Sequence, residues 1–148
     1  MLFLTGLAVL STCAHNKPAP KPKACDCATI TLRTALDTNG GKPFYIIVRS
    51  VSESEFLQDD YKSIAADAFP RGKDEKVLAH VFSYPGMEHS VVVDLTEGEG
   101  LGVYALFTRP GDPWKVLLSP PHNTHYVLDV LQRTIELTPP EESTAVAP

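Results

Sequence analysis

The segment most suggestive of ligand binding is a glycine-rich stretch from Asp37 to Pro43, with the sequence Asp-Thr-Asn-Gly-Gly-Lys-Pro. Bare glycine amides beside a lysine can hold a phosphate, because both groups favour an anion. A phosphate loop, however, opens a helix and has a fixed Gly and Ser/Thr spacing, whereas this segment precedes the strand-like run Phe44 to Val48. The pattern instead predicts a turn, since Asn-Gly tolerates positive φ and commonly joins two antiparallel strands.

Cys25 and Cys27 form a second group with reactive side chains and stand one residue apart. They make a poor zinc half-site, because structural zinc sites commonly place about two to four residues between paired cysteines and need a second pair of ligands. In an oxidising compartment the two thiols are predicted to form a small disulfide. Free or exchangeable thiols, and pairing of one cysteine with another chain, are the alternatives.

The histidines and serines give no convincing catalytic site. His122 and His125 lie in one loop, where no cysteine or adjacent carboxylate offers a third metal ligand, and we interpret them as solvated. The sequence contains neither a Gly-x-Ser-x-Gly elbow nor a His-Glu-x-x-His motif. It therefore predicts a protein that is not an enzyme and that needs no metal or cofactor.

The N-terminus is an apolar run without charged side chains that stops at Cys13, and it is too short to cross a bilayer as a helix. It is typical of the apolar core of a signal peptide. Leu10-Ser11-Thr12-Cys13 resembles the lipobox of bacterial lipoproteins, in which the cysteine receives a diacylglyceryl group and becomes the mature N-terminus. We predict a signal peptide and lipobox over residues 1–13, with lipidation at Cys13. The alternative is an ordinary buried apolar segment.

Two segments are predicted to lie outside the folded domain. Residues 14–28 are rich in proline and lysine, which remove backbone donors and keep the chain solvated, so we predict a semi-rigid tether. Residues 138–148 show no apolar period and are predicted to form a disordered tail. The β-rich part between them, residues 29–137, is predicted to be one domain.

Composition limits the classes of partner. The chain has 148 residues, of which 43% are hydrophobic and 21% charged, which suits one globular core. Its formal net charge of −5 gives no general electrostatic reason to bind nucleic acid or anionic lipid headgroups. We therefore predict no nucleic-acid partner.

The pattern of β-branched and aromatic residues predicts an all-β sandwich of about seven strands. Phe44 to Val48 is wholly apolar, which indicates a central strand covered on both faces. The other predicted strands are Thr29 to Leu36, Val77 to Tyr84, His89 to Leu95, Leu101 to Thr108, Trp114 to Leu118 and Tyr126 to Leu137.

One helix is predicted between the second and third strands, from Ser54 to Phe69. Its apolar stripe, at intervals of three and four, consists of Leu57, Tyr61, Ile64, Ala65 and Ala68. Ser52 or Ser54 can cap the start, and Pro70 ends the helix.

Trp114 opens a predicted strand and is expected to pack over the edge of the sandwich. The alternative is that Trp114 and the nearby Arg109 form part of a binding surface, since Trp and Arg are enriched among residues that dominate interfaces.

Several of these segments, taken in order, resemble the outer-membrane lipoprotein of bacterial type VI secretion systems, the TssJ (SciN, VasD) family. They are Cys13, the loop ending Gly41-Lys42-Pro43, the strand ending Val48-Arg49, the acidic helical segment with Phe56, the strand Leu101-Gly102-Val103, and Trp114-Lys115. The chain is identified as a divergent member, with the match covering most of residues 29–118.

The resemblance implies a fold, a location and a partner. The fold would be a transthyretin-like (Ig-like) two-sheet β-sandwich of about seven to eight strands with one inserted helix, and the family is not enzymatic. Lipid on Cys13 would hold the domain at the periplasmic face of the outer membrane. There it would bind the periplasmic C-terminal part of the inner-membrane TssM (IcmF-like) subunit. The family's partner-binding loop corresponds to Asp37, Thr38, Asn39, Gly40, Gly41, Lys42 and Pro43.

Two other classes of protein fit parts of the pattern. A lipid-anchored transthyretin-like ligand-binding or accessory module would need an apolar pocket between the sheets. A small periplasmic hydrolase would need His122 or His125 to converge on a serine or metal. A filled interior with an ordered loop from Asp37 to Pro43 would favour the scaffold over both.

Overall fold

The computed structural model describes residues 26–68 and 75–139, which form eight strands and two short helices. The strands are β1 (Cys27–Thr34), β2 (Phe44–Val51), β3 (Val77–Ser83), β4 (Glu88–Asp94), β5 (Gly100–Leu106), β6 (Lys115–Leu118), β7 (His125–Val130) and β8 (Ile135–Leu137). The helices are α1 (Glu53–Gln58) and α2 (Tyr61–Asp67), both between β2 and β3.

The strands make two four-stranded sheets. Sheet A has the order β4-β1-β7-β8, and sheet B has the order β3-β2-β5-β6. All neighbouring strands are antiparallel except β1 and β7, which are parallel. The two-sheet, all-β architecture predicted from the sequence is confirmed, with the last predicted strand divided into β7 and β8.

The core lies between the two sheets and follows the two-residue period of each strand. In β2, Phe44, Ile46 and Val48 face sheet A and are buried. In sheet A, Ile30 and Leu32 are buried opposite them. Apolar side chains fill the layer in the described part of the sandwich, as burial of alternate strand residues requires.

The outer face of sheet B is also covered, which explains why β2 is apolar at every position from Phe44 to Val48. Ile47 points to this outer face and is buried in a second apolar cluster with Ile64, Ala68 and Tyr104. The helices therefore act as a third layer on sheet B, and the prediction that β2 is a covered central strand is confirmed.

The predicted single helix is two short helices, because Asp59 and Asp60 both have extended backbone. Asp60 is the N-cap of α2 and accepts hydrogen bonds from the amides of Lys62 and Ser63, a role for which aspartate is strongly preferred. The break also changes the buried face. Leu57 is 73% exposed, although it was predicted to lie in the apolar stripe.

The start of the helical insertion is fixed by a capping box and an ion pair. The Ser52 hydroxyl accepts from the amide of Glu55, whose carboxylate accepts from the Ser52 amide. The same carboxylate binds Lys76, which precedes β3. This bond to Lys76, together with those from Ser52, lowers the pKa of Glu55 to about 2. The acidic first turn of α1 is thereby tied to the strand that follows the insertion.

The domain boundaries differ slightly from the predicted ones. Strand β1 begins at Cys27, so Cys27 and Ala28 belong to the sheet, where they pair with Asp94 and Val93. Thr138, predicted to start a disordered tail, donates its amide to Val127 and its hydroxyl to the carboxylate of Asp129. The predicted signal peptide, most of the tether and residues 140–148 lie outside the described residues.

The connections give the two ends of the sandwich different characters. Every odd-numbered strand runs toward the same end of the sandwich. We call it the loop end, and it consists of the four connections that follow these strands, residues 35–43, 84–87, 107–114 and 131–134. The chain enters β1 at the opposite end, which we call the tether end. Eight residues of β1 separate the two ends, about 26 Å at the usual rise of a strand.

Gly102 leaves the space that the Tyr104 ring occupies on the outer face of sheet B. A Cβ built on Gly102 would lie 2.5 Å from the Tyr104 hydroxyl oxygen and 2.6 Å from a ring carbon. We predict that Gly102→Ala lowers the free energy of unfolding of the full chain by about 1–3 kcal/mol, because a fully buried ring has to move. Urea unfolding measures the change. A loss of less than about 0.5 kcal/mol would contradict the packing role.

Candidate partner-binding site

The predicted loop from Asp37 to Pro43 is a crossover between the two sheets, because β1 lies in sheet A and β2 in sheet B. The prediction that its Asn-Gly turn joins two paired antiparallel strands is therefore wrong. Residues Thr38–Gly41 form a short 3₁₀ segment in which Asn39 (φ 52°) and Gly40 (φ 63°) have left-handed backbone. Asparagine and glycine are the residues that adopt this conformation at least cost, so the Asn-Gly signal is correct for the local turn.

Asn39 is buried and holds three loops together. Its side-chain amide donates to the carbonyls of Lys42 (3.2 Å) and Pro43 (3.0 Å), and its side-chain oxygen accepts from the amide of Thr108 (2.7 Å). Its own amide donates to the carbonyl of Gln132 (2.8 Å). All four bonds are within normal hydrogen-bond length, and two of them reach other loops of the loop end.

Thr38, next to Asn39, also fixes the loop to the sandwich. Its side chain is fully buried, and its hydroxyl donates to the carbonyl of Val130 at the end of β7 (2.8 Å). The next exposed residues, Gly40, Gly41, Lys42 and Pro43, are thus presented on a fixed base. The loop is ordered before any partner binds, which reduces the entropy that binding would have to offset.

The predicted site residues are therefore of two kinds. Thr38 and Asn39 are buried and position the loop, whereas those with exposed side chains or backbone are Asp37, Gly40, Gly41, Lys42 and Pro43. Cys13, predicted to be lipidated, lies outside the described residues. A partner can contact the second group directly, whereas it can reach Thr38 only by displacing the loop.

Beside the loop lies an open cavity of about 480 Å³. It is lined by Asn39, Gly40, Lys42, Thr108, Arg109, Gln132 and Arg133. These residues come from three connections of the loop end, which Asn39 joins by its hydrogen bonds. Sequence reasoning identified Lys42 and raised Arg109 as an alternative, but it missed Gln132 and Arg133, which lie about 90 residues further along the chain.

A cluster of partly buried charges lies elsewhere, between the helices and sheet B. Asp59, at the break between α1 and α2, accepts from the Tyr104 hydroxyl and lies 3.5 Å from the Arg49 guanidinium. The ammonium of Lys115 donates to the carbonyls of Phe56 and Asp59 and lies 4.6 Å above the centre of the Phe56 ring. These contacts fix the helical insertion onto the sheet.

Burial has opposite effects on the pKa values of two groups in this cluster. It raises the pKa of Tyr104 well above the usual range of a phenol, with a further contribution from the hydrogen bond to Asp59. It lowers the pKa of Lys115, although the nearby carboxylates of Asp59 and Asp60 oppose the change. Tyr104 therefore stays protonated at neutral pH and remains a hydrogen-bond donor.

Trp114 packs against this cluster. Its ring centre lies 5.0 Å from that of Tyr61 and 5.9 Å from that of Tyr104. The expectation that Trp114 packs on the sandwich is thus met, while Arg109, which the alternative paired with it, lines the cavity at the loop end.

His122 and His125 do not converge on a serine. His89, in β4, does contact one, because its Nε2 lies 2.9 Å from the hydroxyl of Ser83 at the end of β3. His122, predicted to be solvated, is half-buried, with its ring nitrogens near the Tyr126 hydroxyl (3.2 Å) and the Glu99 carbonyl (2.8 Å). His125 is exposed and contacts the hydroxyl of Thr31 (3.3 Å). Within residues 26–68 and 75–139, no group of three His, Cys, Asp or Glu side chains is placed to hold a metal ion.

Of Cys25 and Cys27, only Cys27 lies within the described residues. Cys27 opens β1 and is disulfide-bonded. Its predicted partner, Cys25, lies outside the described residues, so the predicted pairing stays a prediction. None of the described helices has the length and apolar character needed to span a membrane.

The chain matches a protein-family model described as IglE, N-terminal domain, over residues 45–130, which is more than half of its length. The chain belongs to the IglE N-terminal-domain family. The family match begins inside β2 and ends with β7, so it covers sheet B, the two helices, and strands β4 and β7 of sheet A, and leaves out β1 and β8. Among curated proteins, no sequence matches this IglE-family chain.

Solved structures from type VI secretion systems share its fold. Serratia marcescens Lip, described as a membrane bound component of that system, is 15% identical with a TM-score of 0.64, over 79% of this chain and 99% of Lip. TssJ1 from Pseudomonas aeruginosa, a type VI secretion lipoprotein, is 17% identical with a TM-score of 0.57, over 78% and 96%. A chain from the structure described as the TssM C-terminal domain from EAEC is 18% identical with a TM-score of 0.63, over 77% and 98%.

At these identities the likeness establishes the fold of the IglE-family chain. The predicted all-β, two-sheet sandwich with a helical insertion is confirmed, and so is the predicted resemblance to the TssJ family. The remaining parts of the prediction, which concern the anchor, the partner and the binding loop, stay predictions.

Proposed function

We propose that this chain is an outer-membrane-anchored scaffold subunit of a type VI secretion membrane complex. In this proposal Cys13 carries the lipid, the segment up to Asp26 is the tether, and the sandwich projects into the periplasm. The loop from Asp37 to Pro43 binds the periplasmic domain of the TssM (IcmF-like) inner-membrane subunit. The protein acts by binding and not by catalysis.

The observation that carries this proposal is the position and construction of the loop. It lies at the end of the sandwich opposite the entry of the tether, so a domain anchored through Cys13 can present it to the periplasm. Asn39 and Thr38 fix the loop by bonds to three other backbone segments. A fixed, exposed loop at the far end of a tethered domain suits a docking role.

The packing of the domain supports a scaffold over the two other classes. The inner faces of the sheets pack on each other through Ile30, Leu32, Ile46 and Val48, which leaves the described centre of the sandwich filled. The cavity beside the loop is open to the surface, and its lining residues are polar or cationic apart from one glycine. An apolar ligand of a transthyretin-like carrier would need an enclosed apolar pocket instead.

A binding experiment with the full chain in non-ionic detergent tests the proposal. Lys42→Ser/Pro43→Ser changes two exposed side chains and keeps the backbone carbonyls that Asn39 binds. We expect this variant to bind the purified periplasmic domain of the IcmF-like subunit at least about tenfold more weakly than the parent chain. Thr96→Ser/Glu97→Ser, in an exposed turn at the tether end, is the matched control and should bind normally.

Two outcomes would contradict the proposal. Failure of the parent chain to bind the periplasmic domain would exclude the partner, and equal binding by the Lys42→Ser/Pro43→Ser variant would exclude the loop. The anchor is tested separately by fractionation of cells. Cys13→Ala should remove the protein from the outer-membrane fraction, and its retention there would exclude lipidation of Cys13 as the anchor.

A further inference from the structure

Three cationic side chains of the loop end line one cavity on an acidic protein. Lys42, Arg109 and Arg133 all line the 480 Å³ cavity, and its lining includes no aspartate or glutamate. The exposed Asp37 and Asp112 belong to the same loops but do not line it. The chain as a whole has a formal net charge of −5. Three cations around one opening, against that background, give this cavity a local preference for an anion.

Hydrogen bonds to the loop 107–114 hold the guanidinium of Arg133 in place. Its Nε donates to the carbonyl of Arg109 (2.9 Å), and one terminal nitrogen donates to the carbonyl of Pro110 (3.2 Å). The amide of Gly111 donates back to the Arg133 carbonyl (2.8 Å). A guanidinium has five N–H donors, so these bonds leave other donors for a ligand. Because the planar group is already fixed, it loses little conformational entropy on binding a carboxylate.

Lys42 and Arg109 are exposed and have no ion-pair partner among residues 26–68 and 75–139. Elsewhere on the described surface the exposed Arg33 lies beside Glu88, at 3.8 Å. The two free cations at the cavity therefore keep their full charge for an incoming group, whereas the charge of Arg33 is partly neutralised.

The loop end also carries exposed apolar residues, two of them in loops that line the cavity. Leu36, two residues before Thr38, is 87% exposed, and Leu131, beside Gln132, is 37% exposed. Tyr84 and Met87 are also exposed at the loop end. A cationic opening with apolar neighbours has the mixed character of a protein-binding surface.

We propose that the loop end recognises an acidic protein segment, and that Arg109 and Arg133 act with Lys42 as its carboxylate-binding residues. Asp or Glu side chains of the partner would enter the cavity and accept hydrogen bonds from the two guanidinium groups, while neighbouring apolar side chains cover Leu36 and Leu131. This inference rests on the proposed function, because it states which chemistry the partner of the loop presents. It extends the binding site from one loop to three.

The first experiment uses the full chain in non-ionic detergent and the periplasmic domain of the IcmF-like subunit. Lys42→Glu and Arg109→Glu should each weaken binding about tenfold, mostly by slowing association, and binding by the parent chain should weaken as salt rises. Lys62→Glu, an equal charge change at an exposed position of α2, should have no effect. Arg133 is left unchanged because its side chain also supports the loop.

A second experiment does not depend on the identity of the partner. Amide NMR spectra of the full chain are recorded with an end-blocked peptide rich in glutamate, with the same peptide containing glutamine, and with phosphatidylglycerol vesicles. We expect the glutamate peptide alone to shift the amides of Gly40, Arg109 and Gln132, and Arg109→Glu to abolish the shifts.

The two experiments separate the failure of this inference from failure of the proposed function. If the IcmF-like domain does not bind but the glutamate peptide shifts those amides, the proposed partner is wrong and the carboxylate site stands. If the domain binds and neither charge reversal nor salt changes its affinity, the carboxylate site is overturned and the proposed partner stands, while the Lys42→Ser/Pro43→Ser variant decides on the loop. Shifts caused by the vesicles and not by the peptide would also overturn it, because the ligand would then be a lipid headgroup.

Discussion

Replacing Asn39 with alanine is expected to lower the free energy of unfolding of the full chain by about 3–4 kcal/mol. Three hydrogen bonds of the buried side chain are lost, at about 1 kcal/mol each. Alanine also has to adopt φ near 52°, which costs about 1 kcal/mol for a residue with a Cβ. Urea unfolding measures the total, and hydrogen exchange should show the greatest loss of protection at the amide of Thr108.

Asn39→Gly is the matched control, because glycine lacks the amide but accepts the left-handed backbone. It should be about 1 kcal/mol less destabilised than Asn39→Ala. Both variants should lose partner binding, since both release Thr108 and the carbonyls of Lys42 and Pro43. A destabilisation of less than about 1 kcal/mol for Asn39→Ala would show that Asn39 does not hold the loops together.

Replacing Asp59 with alanine is the second large effect, and we expect a loss of about 3 kcal/mol. The variant removes the carboxylate that accepts from the Tyr104 hydroxyl and lies beside the Arg49 guanidinium in a largely buried place. Removal of one partner of a buried pair typically costs about 3–5 kcal/mol, and the lower value applies because Asp59 is 17% exposed. Urea unfolding gives the magnitude, and hydrogen exchange of α1 and α2 shows where the structure loosens.

Two control variants identify the source of that loss. Asp59→Asn keeps an oxygen acceptor for Tyr104 but removes the charge, so it should fall between the parent chain and Asp59→Ala. Glu53→Ala removes an exposed carboxylate from the first turn of α1 and should cost well under 1 kcal/mol. If Asp59→Ala were as mild as Glu53→Ala, the helical insertion would not depend on this charge pair.

The residues that carry the resemblance to the TssJ family lie in two separate parts of the fold. Arg49, Phe56, Gly102 and Lys115 meet in or beside the cluster that fixes the helices to sheet B. Their spacing along the sequence is therefore set by the packing of the helical insertion. The loop from Asp37 to Pro43 lies apart from this cluster, so the packing of the helices on sheet B does not determine which residues it contains.

Strand periodicity was sufficient to predict the sandwich, because alternate burial is a local property of each strand. The helical break was predictable in principle from Asp59-Asp60, since aspartate favours an N-cap, but the apolar stripe across it suggested continuity. The crossover of the loop between two sheets was not predictable from the turn itself. Asn-Gly reports only local backbone conformation, while the sheet that each strand joins depends on pairing between distant segments.

The cavity was the feature least accessible from the sequence. Arg133 follows Val130 and Leu131 in an unremarkable short turn, and nothing in its neighbourhood connects it to Lys42. The parallel pairing of β1 with β7 brings their C-terminal ends together, which places loop 131–134 beside loop 35–43. A binding site assembled from separate loops in this way requires the topology as well as the local pattern.

The central claim, that the loop end binds the IcmF-like subunit in the cell envelope, is tested most directly by photo-crosslinking in living cells. A photoreactive residue is placed at Asp37 at the loop end, or at Glu97 at the tether end, in the otherwise unchanged full chain. Both positions are exposed, so neither substitution should disturb the fold, and Lys42 keeps its side chain. We predict a crosslink to the IcmF-like subunit from position 37 and none from position 97; a crosslink from position 97 alone, or none from either, would contradict the account.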